Sequence, residues 1–554
     1  MFRNLSRLSL PFCVLLSSPL AAETWTNALG NNDFANWANW VLDNTTENPT
    51  SWTAASQNWQ VNLAGEDRAV LGPGQSVVGL DRNVLVGDAE SAPVGSVGEL
   101  LIDGGTLAIT RNVRIGRDNG PGSGMVTVDG GGRLELGYGL YIGQSANAGS
   151  SFNLIDGIVE VTTNAGRSDG LLVGHRAEGN GTLNITGGQL NVKRGDAEFS
   201  AGGNAGAADS ALNLSGDGAL NVESGRITFG GNAGVSVSVS IADAASLSAS
   251  NARFGFGADN TVSFTMSGGT LDISNGFIGF GQGTGSDVSV SMSGGNIFAD
   301  RMGLANNETA TATFDMTGGT LLLARTTGTA THSGGLRMQS AGAMASFGGT
   351  AVVNTEKLFI NDGGLLILSD DASIRVEGST DEANPTFDFS AAYLSSDWST
   401  VLGRIVVNGG SFVVAGESDT VDSSVNYVSL LNAAISAGII YTEVEEAELV
   451  VTYDTDADVT RLHLLTDDPP QVVSIWIDVI ADETGLKDTG IGLVMDDFYP
   501  FVYHVPAGWF SVHTNGASLD GFHAYDFTAE CWVWSADFAA GWRYNFNTES
   551  WEPW

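Results

Sequence analysis

From Leu100 the chain reads LLIDGGTLAI: apolar and polar positions alternate, an Asp and two glycines intervene, and alternation resumes. A period of two marks strands that bury one face. The unit returns as VTVDGGGRLEL from Val126, FNLIDGIVEV from Phe152, LNITGGQLNV from Leu183, LNLSGDGALNV from Leu212 and VSIADAASLSA from Val239. It then takes a methionine form: MSGGTLDI at Met266, MSGGNIFA at Met292 and MTGGTLLL at Met316. Weaker apolar segments lie between the units: VRIG at Val113, LYIG at Leu140, LLVG at Leu171, ITFG at Ile227 and FIGFG at Phe277.

Units recur at roughly 24–31 residues, a spacing typical of solenoids. If each unit is one coil, Ile102, Val128, Ile155, Ile185, Leu214, Ile241, Met266, Met292 and Met316 occupy one equivalent inward position. Leu107, Leu134, Leu190, Leu220, Leu271, Ile297 and Leu321 form a second column. The Gly pair is the corner, where the chain bends tightly or takes positive φ. No helical period runs through this region. The prediction is an all-β, right-handed parallel β-helix. A dozen coils at about 4.8 Å would make a rod roughly 60 Å long.

A solenoid needs a cap at each end. ETWTNALGNNDFANWANW, with Trp25, Trp37 and Trp40, is read as the N-terminal cap. SSVNYVSLLNAAISAG sets Tyr427, Leu430, Leu431, Ala434 and Ile435 on one helical face, with Ser423 or Ser424 as the start and Gly438 as the end. ELVVTY and VTRLHLL, joined by DTDAD, complete a helix–hairpin plug. DDPP at Asp467–Pro470 marks a boundary, and beyond it Trp476, Trp509, Trp532, Trp534, Trp542, Trp551 and Trp554 crowd into a small aromatic β module. The expected divisions are residues 1–22 (leader), 23–97 (N-terminal cap and first coils), 98–378 (repeats), 379–470 (last coils and C-terminal cap) and 471–554 (aromatic module).

Charge narrows the partners. Lys and Arg total 23 against 63 Asp and Glu, a net charge of −40. Such a surface repels nucleic acid, because it lacks the cations that neutralise phosphates. Surface Ca²⁺ is compatible with this charge, but no specific motif calls for it, and no cofactor is expected. The opening MFRNLSRLSLPFCVLLSSPLAAE has a positive start (Arg3, Arg7), an apolar run to Leu20 and small Ala21 and Ala22, the parts of a secretory leader. No later segment reads as a membrane helix. Once the leader and its Cys13 are removed, Cys531 is alone, so no internal disulfide is expected.

The leader, the NDFANWANW opening, the Ser/Thr/Asp-Gly-Gly-x-Leu units and the helix–hairpin end resemble the secreted β-helix surface proteins of Gram-negative bacteria, related to autotransporter-associated β-strand repeats. The resemblance covers about residues 23–466. It implies export and a place at the cell surface or outside the cell. The chain departs from the pattern in ending on the aromatic module, where the best-known members carry an outer-membrane barrel.

Parallel β-helices also host polysaccharide lyases and glycoside hydrolases, which need paired acids or a base with an acidic metal site. Asp103, Asp129 and Asp156 recur at the turn, as structure alone demands. Arg111, Arg114 and Arg117 follow in the neighbouring segment and could lie near an acidic face. His175 and His332 read as surface residues. His504, His513 and His523 lack zinc-ligand spacing. DTDAD lacks the glycine and final glutamate of a calcium loop, and GFGQGTG lacks a strand–helix context. No catalytic or metal site is assigned. Aromatic rings can stack on sugar faces, so the binding candidates are Tyr503, Trp509, Trp542 and Tyr544.

The expected role is a non-enzymatic structural or adhesion protein that contacts polysaccharide or matrix components. The alternatives are a β-helix lyase or hydrolase, and a carbohydrate-binding protein acting through the tail.

Overall fold

The computed structural model describes residues 22–42, 58–87, 97–116, 123–144, 149–162, 169–174, 179–200, 209–324, 335–361, 363–378, 387–388, 401–418 and 426–466, and a second set at 487–489, 492–498, 501–505, 508–512, 521–526, 531–536, 542–548 and 550–553. Residues 1–21 of the leader, Ser423, Ser424, Arg117, His175, His332, His513 and the DDPP boundary lie outside them. The chain divides into two compact units, Met1–Leu464 and Leu465–Trp554.

The first unit is a parallel β-solenoid. Strands such as Val97–Asp103, Ser123–Asp129 and Ser150–Leu154 pair in parallel along its first face, which is a 14-stranded sheet. At about 4.8 Å per strand that face spans roughly 60 Å. A second ladder runs through Thr106–Ile109, Gly132–Leu136 and Gly157–Val161. The weak segments make a third ladder, through Asn112–Ile115, Gly139–Ile142 and Asp169–Val173. Further along, single strands such as Ala219–Phe229 and Thr270–Phe280 carry both ladders, with a register shift at the corner.

The predicted columns exist. On the first face Ile102 pairs with Val128, and Ile185, Leu214, Ile241, Met266, Met292 and Met316 follow in register. One member is corrected. Val128 pairs with Leu154, which pairs with Ile185, while Ile155 is 47% exposed. Phe152 faces inward beside Leu183 and fixes that register, so the next apolar residue turns outward. On the second face Leu107, Leu134, Leu190, Leu220, Leu271, Ile297 and Leu321 are all buried in one ladder, with Val159 and Leu247 filling the coils between. The third column becomes aromatic: Phe199, Phe229, Phe254 and Phe280 stand in register and stack.

The Gly pair answers to coil stacking. A Cβ at Gly294 would stand 2.7 Å from the Ser267 carbonyl oxygen of the preceding coil. At Gly295, which has φ +88°, it would stand 2.6 Å from the Gly268 carbonyl oxygen. The first glycine allows close approach, and the second adds a left-handed backbone.

Aromatic packing closes the N-terminal end. Trp25, Phe34, Trp40 and Trp59 are buried, with Trp40 edge-on to Phe34 and to Trp59 at 5.0 Å. At the other end, Phe412 to Ala415 pair antiparallel with Leu462 to Val459, which stops parallel addition. The helix Tyr427–Ser436 buries Tyr427, Leu431 and Ala434. Its cap is Asn426, whose side chain accepts from Ser429 N–H, in place of the expected serines. Gly438 follows the helix at φ +69°. DTDAD is a turn: Asp454 Oδ1 accepts from the Asp456 and Ala457 N–H groups.

Among its described residues, the second unit is an antiparallel meander of eight strands, from Lys487–Thr489 to Ser550–Pro553. Asp526 and Arg543 form an ion pair, with side chains 2% and 11% exposed.

Candidate functional site

Sheet register brings together what the tail's sequence only counts. Tyr503 is paired with Trp509. Tyr525 stands opposite Ser511, two residues beyond Trp509, and opposite Trp532 on its other side. Trp534 pairs with Tyr544, and Tyr544 with Trp551. Because alternate residues share a face, Tyr503, Trp509, Trp542 and Tyr544 all take register positions on one face of the sheet. The side chains of Tyr503, Trp509 and Trp542 lie outside the described residues. Tyr544 is half-buried and meets Trp551 and Phe546 at 5.6 and 5.3 Å. Trp532 and Trp551 are 45% and 39% exposed. Neither is among the residues expected from sequence, although the spacing of Trp532 from Trp534 places those two on one strand face.

The solenoid carries a second candidate at the corner between its second and third faces. Arg111, Arg114, Asn83, Asn112 and Tyr138 line a cavity of about 230 Å³. Thr106–Ile109 ends the second face, and Asn112–Ile115 opens the third, so Arg111 is a corner residue and Arg114 points outward from the strand. The Arg114 guanidinium lies 5.3 Å over the Tyr141 ring of the next coil. Arg301 over Phe277 and Arg337 over Phe359 repeat that pairing between adjacent coils. Burial lowers the affinity of Arg301 for its proton from the ordinary value, but a guanidinium keeps its charge in proteins.

An asparagine ladder leads into the cavity. Asn83 Nδ2 donates to Asn58 Oδ1 at 2.8 Å, and Asn112 Nδ2 donates to Asn83 Oδ1 at 2.9 Å. The next coil pairs Gly139 with Asn112, and the ladder stops. Asn112 is 5% exposed, and among the described residues its buried Oδ1 has no hydrogen-bond partner. The other ladders end differently: Ser248 donates to Asn221, and the leading Asn213 is exposed. Asn83, Asn112 and Tyr138 are not among the residues expected from sequence, although NVLV, NVRI and GLYI show both the ladder and its break.

The turn aspartates are not part of this cavity. Asp103 and Asp129 end first-face strands, one corner away from Arg111. Asp129 Oδ1 accepts from the Gly130 N–H, a turn bond. Among the described residues, no group of three or more His, Cys, Asp or Glu could hold a metal ion. No helix among them is long and apolar enough to cross a membrane. No family model, no curated protein and no solved structure matches the chain.

Proposed function

We propose that this is an exported, non-enzymatic surface protein whose solenoid presents an ordered face for contact with polysaccharide or matrix. The observation that carries the reading is the outer side of the first face. Ser236, Thr261, Asp287 and Thr311 are paired from coil to coil, as are Ser238, Ser263, Ser289 and Thr313, and then Ser240, Thr265, Ser291 and Asp315. They form a flat strip of short polar side chains at about 4.8 Å spacing. The leader and the resemblance to secreted β-helix surface proteins support the same reading. The recurrent turn aspartates, which would interest a hydrolase, are accounted for by the corner they build.

A second reading is favoured by the aromatic sheet: the tail binds glycans through exposed rings, Trp532 and Trp551 among them. The experiment passes residues 23–554 over acidic and neutral polysaccharides, reading retention and new reducing ends. Retention without cleavage supports contact. Loss of retention in Trp532→Ala with Trp551→Ala assigns it to the tail, and retained binding assigns it to the rod. Cleavage overturns the non-enzymatic reading.

A further inference from the structure

We propose that the cavity at Asn112 is a binding site for a small carboxylate carrying a hydroxyl within two carbons of it: an acidic sugar unit or a free hydroxy acid. The site stands apart from the two contact surfaces above and does not depend on them. Three requirements converge. The first is a donor. The Asn112 Nδ2 is engaged toward the preceding coil, so Oδ1 faces the following one, where Gly139 has no side chain. A buried carbonyl oxygen left unpaired costs about 1–3 kcal/mol, and an incoming O–H relieves it.

The second is an anion. Arg111 and Arg114 line the same cavity in a chain of net charge −40. Among the described residues, Arg111 has no ion pair. Asp81, the nearby acid, accepts from Thr110 Oγ1 at 2.9 Å and from the Arg82 N–H at 3.0 Å. Guanidinium forks bind carboxylates in two-bond geometry. The third is size. A cavity of about 230 Å³ lies below the roughly 300–1,000 Å³ of drug-sized pockets and suits one ring or a smaller acid. Sulfate brings an anion but has no hydrogen for Asn112, and glucose brings hydroxyl donors and one ring but no anion.

The mechanism of recognition follows. The carboxylate docks on Arg111 and Arg114, and a nearby hydroxyl of the ligand donates to Asn112 Oδ1, taking the place of the absent next rung. Tyr138, which also lines the cavity, is the residue left to meet the body of the ligand.

Calorimetry on residues 23–554 tests this with D-glucuronate, lactate, D-glucose and sodium sulfate. The expected result is binding of glucuronate, lactate or both, at least about tenfold tighter than glucose or sulfate. Preference for glucuronate points to a sugar source, and parity with lactate to a free acid. Arg111→Gln with Arg114→Gln weakens binding about tenfold or more. Gly139→Asn, which supplies the missing rung and leaves both arginines in place, abolishes binding while the circular dichroism spectrum is kept. The proposal is overturned if no carboxylate binds at about 10 mM, if sulfate or glucose binds equally well, or if folded Gly139→Asn binds as the parent does.

Discussion

Phe254 stacks on Phe229 with ring centroids 4.7 Å apart and planes 22° from parallel. It meets Phe280 on its other side at 4.7 Å. The separation is the strand spacing itself, about 4.8 Å, so in-register coils bring identical residues to stacking distance. Such pairs add about 0.5–1.5 kcal/mol beyond their buried area. Phe254→Ala removes two stacking contacts and leaves a cavity, at an expected cost of about 3–5 kcal/mol. Because coils support only their neighbours, hydrogen exchange should accelerate first in the coils of Phe229 and Phe280. Acceleration spread evenly along the solenoid would contradict the stacked-column account.

The corner glycines give a second expectation. Gly295→Ala forces a Cβ into positive φ and against the Gly268 carbonyl, and should cost about 1–3 kcal/mol. The urea midpoint should fall clearly. Ser289→Ala, on an exposed outward position of the neighbouring strand, should change it by less than about 0.5 kcal/mol. Equal effects would remove the corner explanation for the repeated Gly pair.

In the C-terminal cap, backbone hydrogen bonds hold Asp454 below the usual carboxylate value. The Ala457 N–H is the largest cause, with smaller help from the Asp456 N–H and Arg461 and with desolvation opposing. A carboxyl whose folded value is depressed contributes above its unfolded value, about 3.9, and loses that contribution as pH falls through the folded one. The Ala457 amide resonance should therefore titrate with a midpoint below about 3.9. Asp454→Asn should flatten the curve. A midpoint at or above the ordinary value would count against the turn geometry.

The second unit rests on a different contact. Asp526→Ala leaves the largely buried Arg543 guanidinium without its carboxylate, at an expected cost of about 3–5 kcal/mol. Replacing both, Asp526→Leu with Arg543→Met, should recover much of that loss, because the desolvation of two charges disappears as well. Tryptophan fluorescence during denaturation reports the result. If the double variant is no better than the single one, the pair's value lies elsewhere than in neutralising a buried charge.

Much of the solenoid was legible because alternation and the Gly pair are local signals. Met266, Met292 and Met316 could be aligned by eye, and they align in space. Ile155 failed because Leu154 and Ile155 are adjacent apolar residues, and one step exchanges the faces of a strand. Only pairing with Val128 and Ile185 decides between them. The cap was misplaced by a few residues for a similar reason: serines and asparagine are near-equal caps, and the helix starts where Tyr427 can be buried. The shared face of Tyr503 and Tyr544 needed strand order, which spacing along the chain does not contain. The cavity needed the absence of a side chain at Gly139 to be set beside Asn112, a comparison across coils.

The measurement closest to the central claim uses nitroxide labels on the outer strip, with Cys531→Ser as background. Ser238 stands in register with Ser263, then Ser289, then Thr313. Labels at Ser238 paired with each of the others should separate in steps of about 4.8 Å per coil, whatever the length of chain between them. A uniform stepped series confirms successive coils presenting one ordered face. Steps several times larger than the strand spacing, or no series at all, would contradict the account.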